Sequence, residues 1–423
     1  MTHRYHALLL ALAAAGCAEE GFEPRRETVN GYTVVWLKGT PYDMGFQHGQ
    51  LLRPELEQGL EELESNFLLK AMYLVAQDMG LTKLALDNSY PEILDECRGL
   101  ADGFGDSGWT MDHCMLLNFG DVLAEFIATG MPKAEDLVPG CTQIVAGGKA
   151  TKDGRLIHAR VLDWSRIDFI VDNPVIFVRQ PEGGVPHAVI GFPANLSPYQ
   201  GMNAAGIAVA TNEIDPRDNS VNDRKGRSHV QLVSRLLTEA RSLADARAMA
   251  IKTNHMSLEL AMVSDGNAGQ AEAFEMAPSH LGLLTMQEGL VYATNHFQEA
   301  KSAALDLDPP PESSSNRLAR LEQLLPPGGV ESLHGSLTLQ ALAQVMRDRK
   351  DPATGLESAP DVFDDNKSIA TNGALYQILF DPAALEFWVA AGKLPVPSQP
   401  LTGFSLAELL ELPGHAGHPD PIP

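Results

Sequence analysis

PGCTQIVAGGKATKDGRLIHARVLDW, residues 139–164, is where the texture of the chain changes. Cys141 opens an apolar run, Cys141–Ala146, directly after a Pro-Gly pair. A Lys152-Asp153-Gly154 turn follows, and then a second largely apolar run up to Trp164. Two strand-like runs around a Gly-containing turn predict a β-hairpin whose first residue is Cys141.

Outward from this hairpin the strand signals continue. They fall at Val175–Arg179, His187–Phe192, Gln200–Asn203, Gly206–Glu213, Leu258–Ser264, Gln270–Met276, Leu375–Phe380 and Leu385–Ala390. Apolar spacings of three and four predict helices at Ser228–Arg241, Leu243–Thr253, Asn316–Leu325 and Leu337–Arg349. Leu305–Ser315 reads as a Pro/Ser surface loop. Upstream, Glu19–Glu27 reads as a polar tether and Thr28–Lys38 alternates like a strand. Met44–Leu81, Pro91–Ala101 and Met111–Phe126 have helical periodicity, and Thr129–Gly140 reads as an exposed loop. Strands close in sequence favour antiparallel sheets with helices packed outside, an α+β fold. A four-layer αββα sandwich fits this order, as do other α+β arrangements, and pattern alone does not choose between them.

The chain has 423 residues, 44% of them hydrophobic, enough for a large buried core. With 31 Lys+Arg against 55 Asp+Glu its formal charge is -24. That balance, without a basic stripe, argues against nucleic acid and anionic membrane surfaces as partners. The start, MTHRYHALLLALAAAGCAEE, has a cationic Arg4, an apolar run and small residues before Cys17. It reads as an export signal of the bacterial lipoprotein type, with Cys17 as the lipidated residue and the only expected membrane attachment. The alternative is a soluble periplasmic or secreted protein cut nearby. The expected organisation is a signal at 1–17, a tether and first strand at 18–38, and a helical front segment at 39–140. A catalytic unit at 141–395 and a tail at 396–423 complete it, with 39–395 folding as one unit.

Without Cys17 three cysteines remain, so at least one thiol is free. Export would permit Cys97 and Cys114 to pair, but both lie in helix-like stretches and read rather as buried, unpaired thiols. HExxH, CxxC, P-loop and GxSxG patterns are absent. Asp361–Asn366 reads as a solvated turn, and His415 and His418 as solvated coil. No metal and no cofactor are expected.

Cys141 stands apart because of what a cut before it would do. Breaking the Gly140–Cys141 bond would give Cys141 a free α-amine, with a pKa of about 7.7–8.0. Such an amine can take the proton from the thiol of the same residue and return it to a leaving amine, with no histidine needed. On the next strand of the hairpin, Arg160 can favour the thiolate and Asp163 can hold an ammonium group. Asn212 and Asn295 each end an apolar strand, where a primary amide can donate to an oxyanion or fix a neighbouring amine. Arg317 starts a helix. Each of these residues taken singly reads as structural.

Taken in order, Cys141, Arg160, Asp163, Asn212, Asn295 and Arg317 resemble the set found in cysteine N-terminal-nucleophile hydrolases. That group includes conjugated bile acid hydrolases, penicillin V acylase and the fungal acyl-CoA:isopenicillin N acyltransferase. GTPYDMGFQHGQLL (39–52), LADGFGDSG (100–108) and MLLNFGD (115–121) are similar to the acyltransferase branch. The resemblance spans about Gly39 to Gly392. It implies an αββα fold and self-cleavage between Gly140 and Cys141, with the front segment retained as a non-covalent α chain. It also implies roles: Asp163 and Asn295 position the amine, Arg160 stabilises the thiolate, Arg317 (or Arg320, if the preceding loop shifts the register) buttresses the site, and Asn212 donates to the oxyanion. The expected activity is cleavage of linear C–N amides of a small-molecule substrate, or acyl transfer from an amide or thioester, through a Cys141 thioester. The alternative is a non-catalytic ligand-binding lipoprotein of the same fold.

Overall fold

In the computed structural model, residues 22–105, 108–119, 140–164, 166–414 and 417–423 are described. The export and lipidation assignment at Cys17, the 129–139 part of the predicted loop, the end of the Met111–Phe126 segment and His415 lie outside these residues.

Glu19–Glu27 does not remain a tether throughout. Arg25–Val29 (β1) and Tyr32–Gly39 (β2) form an antiparallel hairpin. Its turn is made by Asn30 and Gly31, with φ of 50° and 88°. Asn and Gly are the residues that enter this region most readily, and two-residue turns of this hand match strand twist. The later strands are β3 (Cys141–Ala146), β4 (Ile157–Asp163), β5 (Val175–Pro181), β6 (His187–Gly191), β7 (Gln200–Asn203) and β8 (Ile207–Glu213). They continue with β9 (Glu259–Asp265), β10 (Gln270–Ala277), β11 (His280–Thr285), β12 (Leu290–Ala293), β13 (Ala374–Asp381), β14 (Glu386–Ala391) and β15 (Thr402–Ser405). One sheet runs β1-β2-β5-β6-β7-β8-β9-β10-β11 and the other β12-β3-β4-β13-β14-β15. All pairings are antiparallel except β2 with β5.

The helices divide between a front group and two outer layers. In front lie α1 (Pro41–Leu51), α2 (Arg53–Ser65), α3 (Phe67–Asp78), α4 (Leu81–Asn88), α5 (Pro91–Phe104) and α6 (Met111–Asn118). After a short α7 (Asp168–Asp172) come α8 (His229–Glu239) and α9 (Leu243–Lys252). A short α10 (Ala300–Ala303) precedes α11 (Glu312–Leu324), α12 (Leu339–Met346) and a last short α13 (Leu406–Leu409). α11 begins inside the segment read as a loop: Pro311 is its N-cap residue and Glu312 stands in its first turn, where an acidic side chain suits the helix dipole.

The two sheets bury their inner faces against each other, Val34, Ile176, Val178 and Met202 meeting Leu162, Ile378, Phe380 and Val389. On the outer face of the nine-stranded sheet Val35, Phe177 and Val263 pack with Leu232, Leu236 and Ala246 of α8 and α9. On the outer face of the six-stranded sheet Ile144, Ala159 and Trp388 pack with Leu321, Leu324 and Leu342 of α11 and α12. The layers therefore run helix, sheet, sheet, helix. Period-two alternation puts every second residue of a strand in the inter-sheet core and the rest under helices, so both faces read as apolar.

The front motifs have a packing reason. α1 and α5 cross at backbone contact through Gly45, Gly49, Gly99 and Gly103. A Cβ on Gly45 would lie 2.0 Å from the Glu96 carbonyl oxygen, and one on Gly99 would lie 2.0 Å from that of Tyr42. The front segment also grips the chain that follows Cys141. His48 Nε2 accepts from Ala194 N (3.0 Å), Asn118 Oδ1 accepts from Leu196 N (2.7 Å) and Ser197 N (2.9 Å), and Arg179 bonds Glu96 at 2.6 Å in the interior.

Two further expectations are corrected. Cys97 and Cys114 form a disulfide joining α5 to α6, because the two helices bring residues 17 apart in sequence to a Cα separation of 5.9 Å. The 396–423 segment is not a loose tail: β15 extends the second sheet, Leu406, Leu409 and Ile422 are buried, and His418 Nδ1 accepts from Ser405 N (3.0 Å). No helix among the described residues is long and apolar enough to cross a membrane.

Candidate active site

Alternation along the Cys141 hairpin sets the site. Cys141, Gln143 and Val145 of β3 stand opposite Leu162, Arg160 and His158 of β4. All six are buried, and polar Gln143, Arg160 and His158 sit on a face otherwise given to apolar core. Among the described cysteines Cys141 carries the free thiol.

The nitrogen of Cys141 is held by Asn295, which is itself braced from several sides. Its N–H donates to Asn295 Oδ1 at 2.5 Å. Asn295 follows β12 and is fixed by Nδ2 donating to Glu213 O (2.8 Å) and by its own N–H donating to Ser314 Oγ (2.7 Å). Arg317, from the first turns of α11, donates from Nη2 to the same Asn295 Oδ1 (2.9 Å) and from Nη1 to Thr142 Oγ1 (3.0 Å) and the Cys141 carbonyl oxygen. The register question at this helix has a structural answer. Arg320, one turn further on, is engaged with Asp348, Glu331 and Gln323 instead.

Asp163 closes β4 beside residue 140. Its N–H donates to the Gly140 carbonyl oxygen at 2.7 Å. Its carboxylate lies where a side chain at 140 would go: a Cβ built on Gly140 would be 2.6 Å from Asp163 Oδ2 and 3.4 Å from Arg317 Nη2. Burial pushes the Asp163 carboxyl up to about 7, against the opposing pull of Arg317. Burial also lowers the Arg317 guanidinium, which Asp163 and Cys141 pull back up.

Asn212 reaches the hairpin from β8 of the facing sheet. Its Oδ1 accepts from Arg160 Nη1 (3.0 Å) and Gln143 Nε2 (2.8 Å), and its Nδ2 donates to Thr294 O (2.9 Å) with longer approaches of 3.4 Å to Ala293 O and 3.5 Å to Cys141 O. Arg160 gives its remaining hydrogen bond to Val161 O, while Nε and Nη2 make none. Its contacts thus go to Asn212 rather than to the sulfur, although Arg160 and Cys141 line one small cavity together with Leu162, Asp163, Trp164 and Tyr199. All six residues singled out in the sequence therefore converge. Thr142, Gln143, His158 and Ser314 belong to the same network and were not singled out. For Gln143 and His158 the signal was present as polar residues two positions from Cys141 and Arg160 in strands that are otherwise core. No group of residues among those described is arranged to hold a metal ion.

A family model described as acyl-coenzyme A:6-aminopenicillanic acid acyl-transferase matches residues 151–394, more than half of the chain. The chain is 24% identical over 371 residues to the acyl-coenzyme A:6-aminopenicillanic-acid-acyltransferase 40 kDa form of Emericella nidulans, covering 86% of this chain and 94% of that one. It is 30% identical over 205 residues to an uncharacterized protein of Archaeoglobus fulgidus, covering 45% of this chain and about a third (34%) of that protein's length. Among solved structures, the N-acylethanolamine-hydrolyzing acid amidase ortholog of Caenorhabditis elegans aligns at 15% identity and a TM-score of 0.39, covering 57% of this chain and 93% of that one.

Proposed function

This chain belongs to the acyl-coenzyme A:6-aminopenicillanic acid acyl-transferase family, and from that premise we propose that it is a self-processing cysteine amidohydrolase or acyltransferase. The observation that carries the reading is the arrangement around one backbone nitrogen. Asn295 accepts from Cys141 N, Arg317 braces Asn295, and Asp163 stands beside Gly140. A buried carboxylate facing an ordinary peptide link gains nothing from the proximity. One facing the ammonium group that a cut would create gains a charged partner.

The Cys141 thiol adds to the Gly140 carbonyl, whose oxygen is within reach of the Asp163 N–H. The C–N bond breaks, the nitrogen takes the proton, and Gly140 is left as a thioester on Cys141. Water then releases the Gly140 carboxylate and restores the thiol. The new α-amine, near neutral in pKa, takes the thiol proton when a substrate carbonyl binds. Attack expels the substrate's amine with that proton and leaves an acyl thioester. Water releases the acid, or a second amine takes the acyl group.

The front segment would stay after the cut. β2 is hydrogen-bonded in parallel register to β5, and α1 lies under the same sheet, so its loss would tear open a sheet and a core. Export and anchoring at Cys17 remain part of the reading. An anchor on the α chain would hold the catalytic chain through this apolar interface, which salt does not weaken. For an exported enzyme, linear amides (N-acyl amino acids, small peptides or β-lactam side chains) are favoured over acyl-CoA, a cytoplasmic donor.

Intact-mass measurement and N-terminal sequencing test the cut: two co-purifying chains are expected, the second beginning at Cys141. An uncut chain with a thiol inert to alkylation overturns the reading. Gly140→Ala is expected to fold yet be cut at least tenfold more slowly, because its Cβ meets the Asp163 carboxylate at 2.6 Å. Time-resolved denaturing gels measure that rate, and cutting at the wild-type rate would show that Asp163 is not held where the reading needs it. Hydrolysis of a panel of N-acyl amides, set beside acyl transfer from thioesters, decides the direction of chemistry.

A further inference from the structure

A row of buried polar side chains runs between the two sheets behind the site. Ser264 Oγ of β9 lies 3.0 Å from His158 Nδ1, and His158 Nε2 lies 3.1 Å from Gln143 Oε1. Gln143 Nε2 donates to Asn212 Oδ1 at 2.8 Å. Ser264, His158, Gln143 and Asn212 are each 0% exposed.

The donors in this row can be assigned by elimination. Arg160 Nη1 can only donate, so the Asn212 atom that it meets is the oxygen. Gln143 must then present its NH2 to that oxygen and its own carbonyl oxygen to His158. His158 Nε2 must carry the ring proton, which leaves Nδ1 to accept from the Ser264 hydroxyl. Burial, helped by the positive charge of Arg160, pushes His158 down to about 3, so the ring stays neutral and keeps this tautomer. At the other end the Asn212 NH2 is turned toward Thr294 O and the Cys141 side of the site.

We infer that Gln143 and His158 are positioning residues that lock the side-chain amide of Asn212 with its NH2 toward Cys141, where it can donate to the oxyanion of the acyl-transfer step. The inference rests on the amidohydrolase reading, and it adds two residues and an orientation to it. Asn212 alone could turn over by 180° at little steric cost. Arg160 and Gln143 together make the turned state place an NH2 against two donors.

Gln143→Glu tests the lock with almost no change of shape. It sets a carboxylate against Asn212 Oδ1 and favours the turned amide. Self-cleavage should proceed, since its oxyanion forms at Gly140 beside the Asp163 N–H, so the variant should still carry a free Cys141 terminus. For the N-acyl amide turned over best in the panel, kcat is expected to fall on the order of 100-fold with KM within about twofold, the scale of a lost oxyanion donor. His158→Leu, one bond further back, is expected to lower kcat about tenfold, and His158→Gln, whose amide can still donate to Gln143, to restore it to within about threefold. The decisive comparison is Gln143→Glu in an Asn212→Ala background, where less than about a twofold further loss is expected.

A Gln143→Glu effect that persists undiminished without Asn212 would be a packing effect and would overturn the inference while leaving the enzyme reading intact. So would full activity in Gln143→Glu or His158→Leu when Asn212→Ala is impaired. Wild-type activity in Asn212→Ala would remove the oxyanion role itself, and the lock with it. If Gln143→Glu does not fold, the two His158 variants carry the test alone.

Discussion

Cys141→Ala is expected to accumulate as a single uncut chain with no measurable amidase or acyl-transfer turnover. The effect should be the largest of any substitution, because in the proposed mechanism one residue would supply both reacting groups: the thiol to be acylated and the amine to move its proton. Loss of a covalent nucleophile lowers kcat on the order of 10⁶-fold where it has been dissected. Stability should barely change. Cys141 Sγ is a small buried group, and removing it from a wall already next to a cavity leaves little new void. Cys141→Ser separates the two roles, since it keeps the amine but offers a weaker nucleophile, and should be cut slowly if at all. The checks are intact mass for the cut and initial rates for turnover. A Cys141→Ala protein that is still cleaved at 140, or still active, would place the nucleophile elsewhere. An uncut wild-type chain with an inert thiol would instead favour a ligand-binding protein of this fold.

The second large effect is electrostatic and concerns Asp163 in the uncut chain. Burial raises its carboxyl from the ordinary 3.8 to about 7. Between these two values the folded chain binds a proton that the unfolded chain does not. Stability therefore falls as pH rises across that window, and the loss is complete above about 7. A difference of about three units corresponds to roughly 4 kcal/mol. Urea unfolding of Cys141→Ala, with and without Asp163→Asn, measures this at pH 5.5 and 8.5. Asp163→Asn is expected to stabilise the uncut chain by roughly 4 kcal/mol at pH 8.5 and by about half as much at pH 5.5, which lies midway through the window. In a chain cut as proposed, the sign of the surroundings would change. An α-ammonium beside Asp163 favours the carboxylate, so the same substitution should abolish turnover while losing its stabilising effect. Equal pH dependence of the two uncut proteins would show that Asp163 does not titrate in this window.

Much of the site was legible before any tertiary contact was known. The hairpin of β3 and β4 follows from alternation and a Gly turn, and these are local signals. Asn212 and Asn295 were legible as strand ends. The reach of these side chains was not. Gln143 and His158 look like ordinary polar interruptions until β8 and β9 of the other sheet supply Asn212 and Ser264. Arg317 and Arg320 lie on one face of one helix, and nothing local says which of them points at Thr142. That depends on how α11 lands on the outer side of β3. The same limit explains the Cys97–Cys114 pair and the buried 396–423 segment, since each depends on a partner element whose distance is invisible to periodicity.

Residue order by itself therefore determined most of the elements, the α+β class, the candidate nucleophile Cys141 and four of its five candidate partners, because period and residue chemistry are properties of short windows. The tertiary structure decided the four-layer stacking, the incorporation of the front hairpin into the first sheet, the placement of Arg317 rather than Arg320 beside Cys141, and that of Gln143 and His158 behind Asn212. Those depend on which faces meet across the inter-sheet core, and such contacts are set by packing complementarity between segments far apart in the chain.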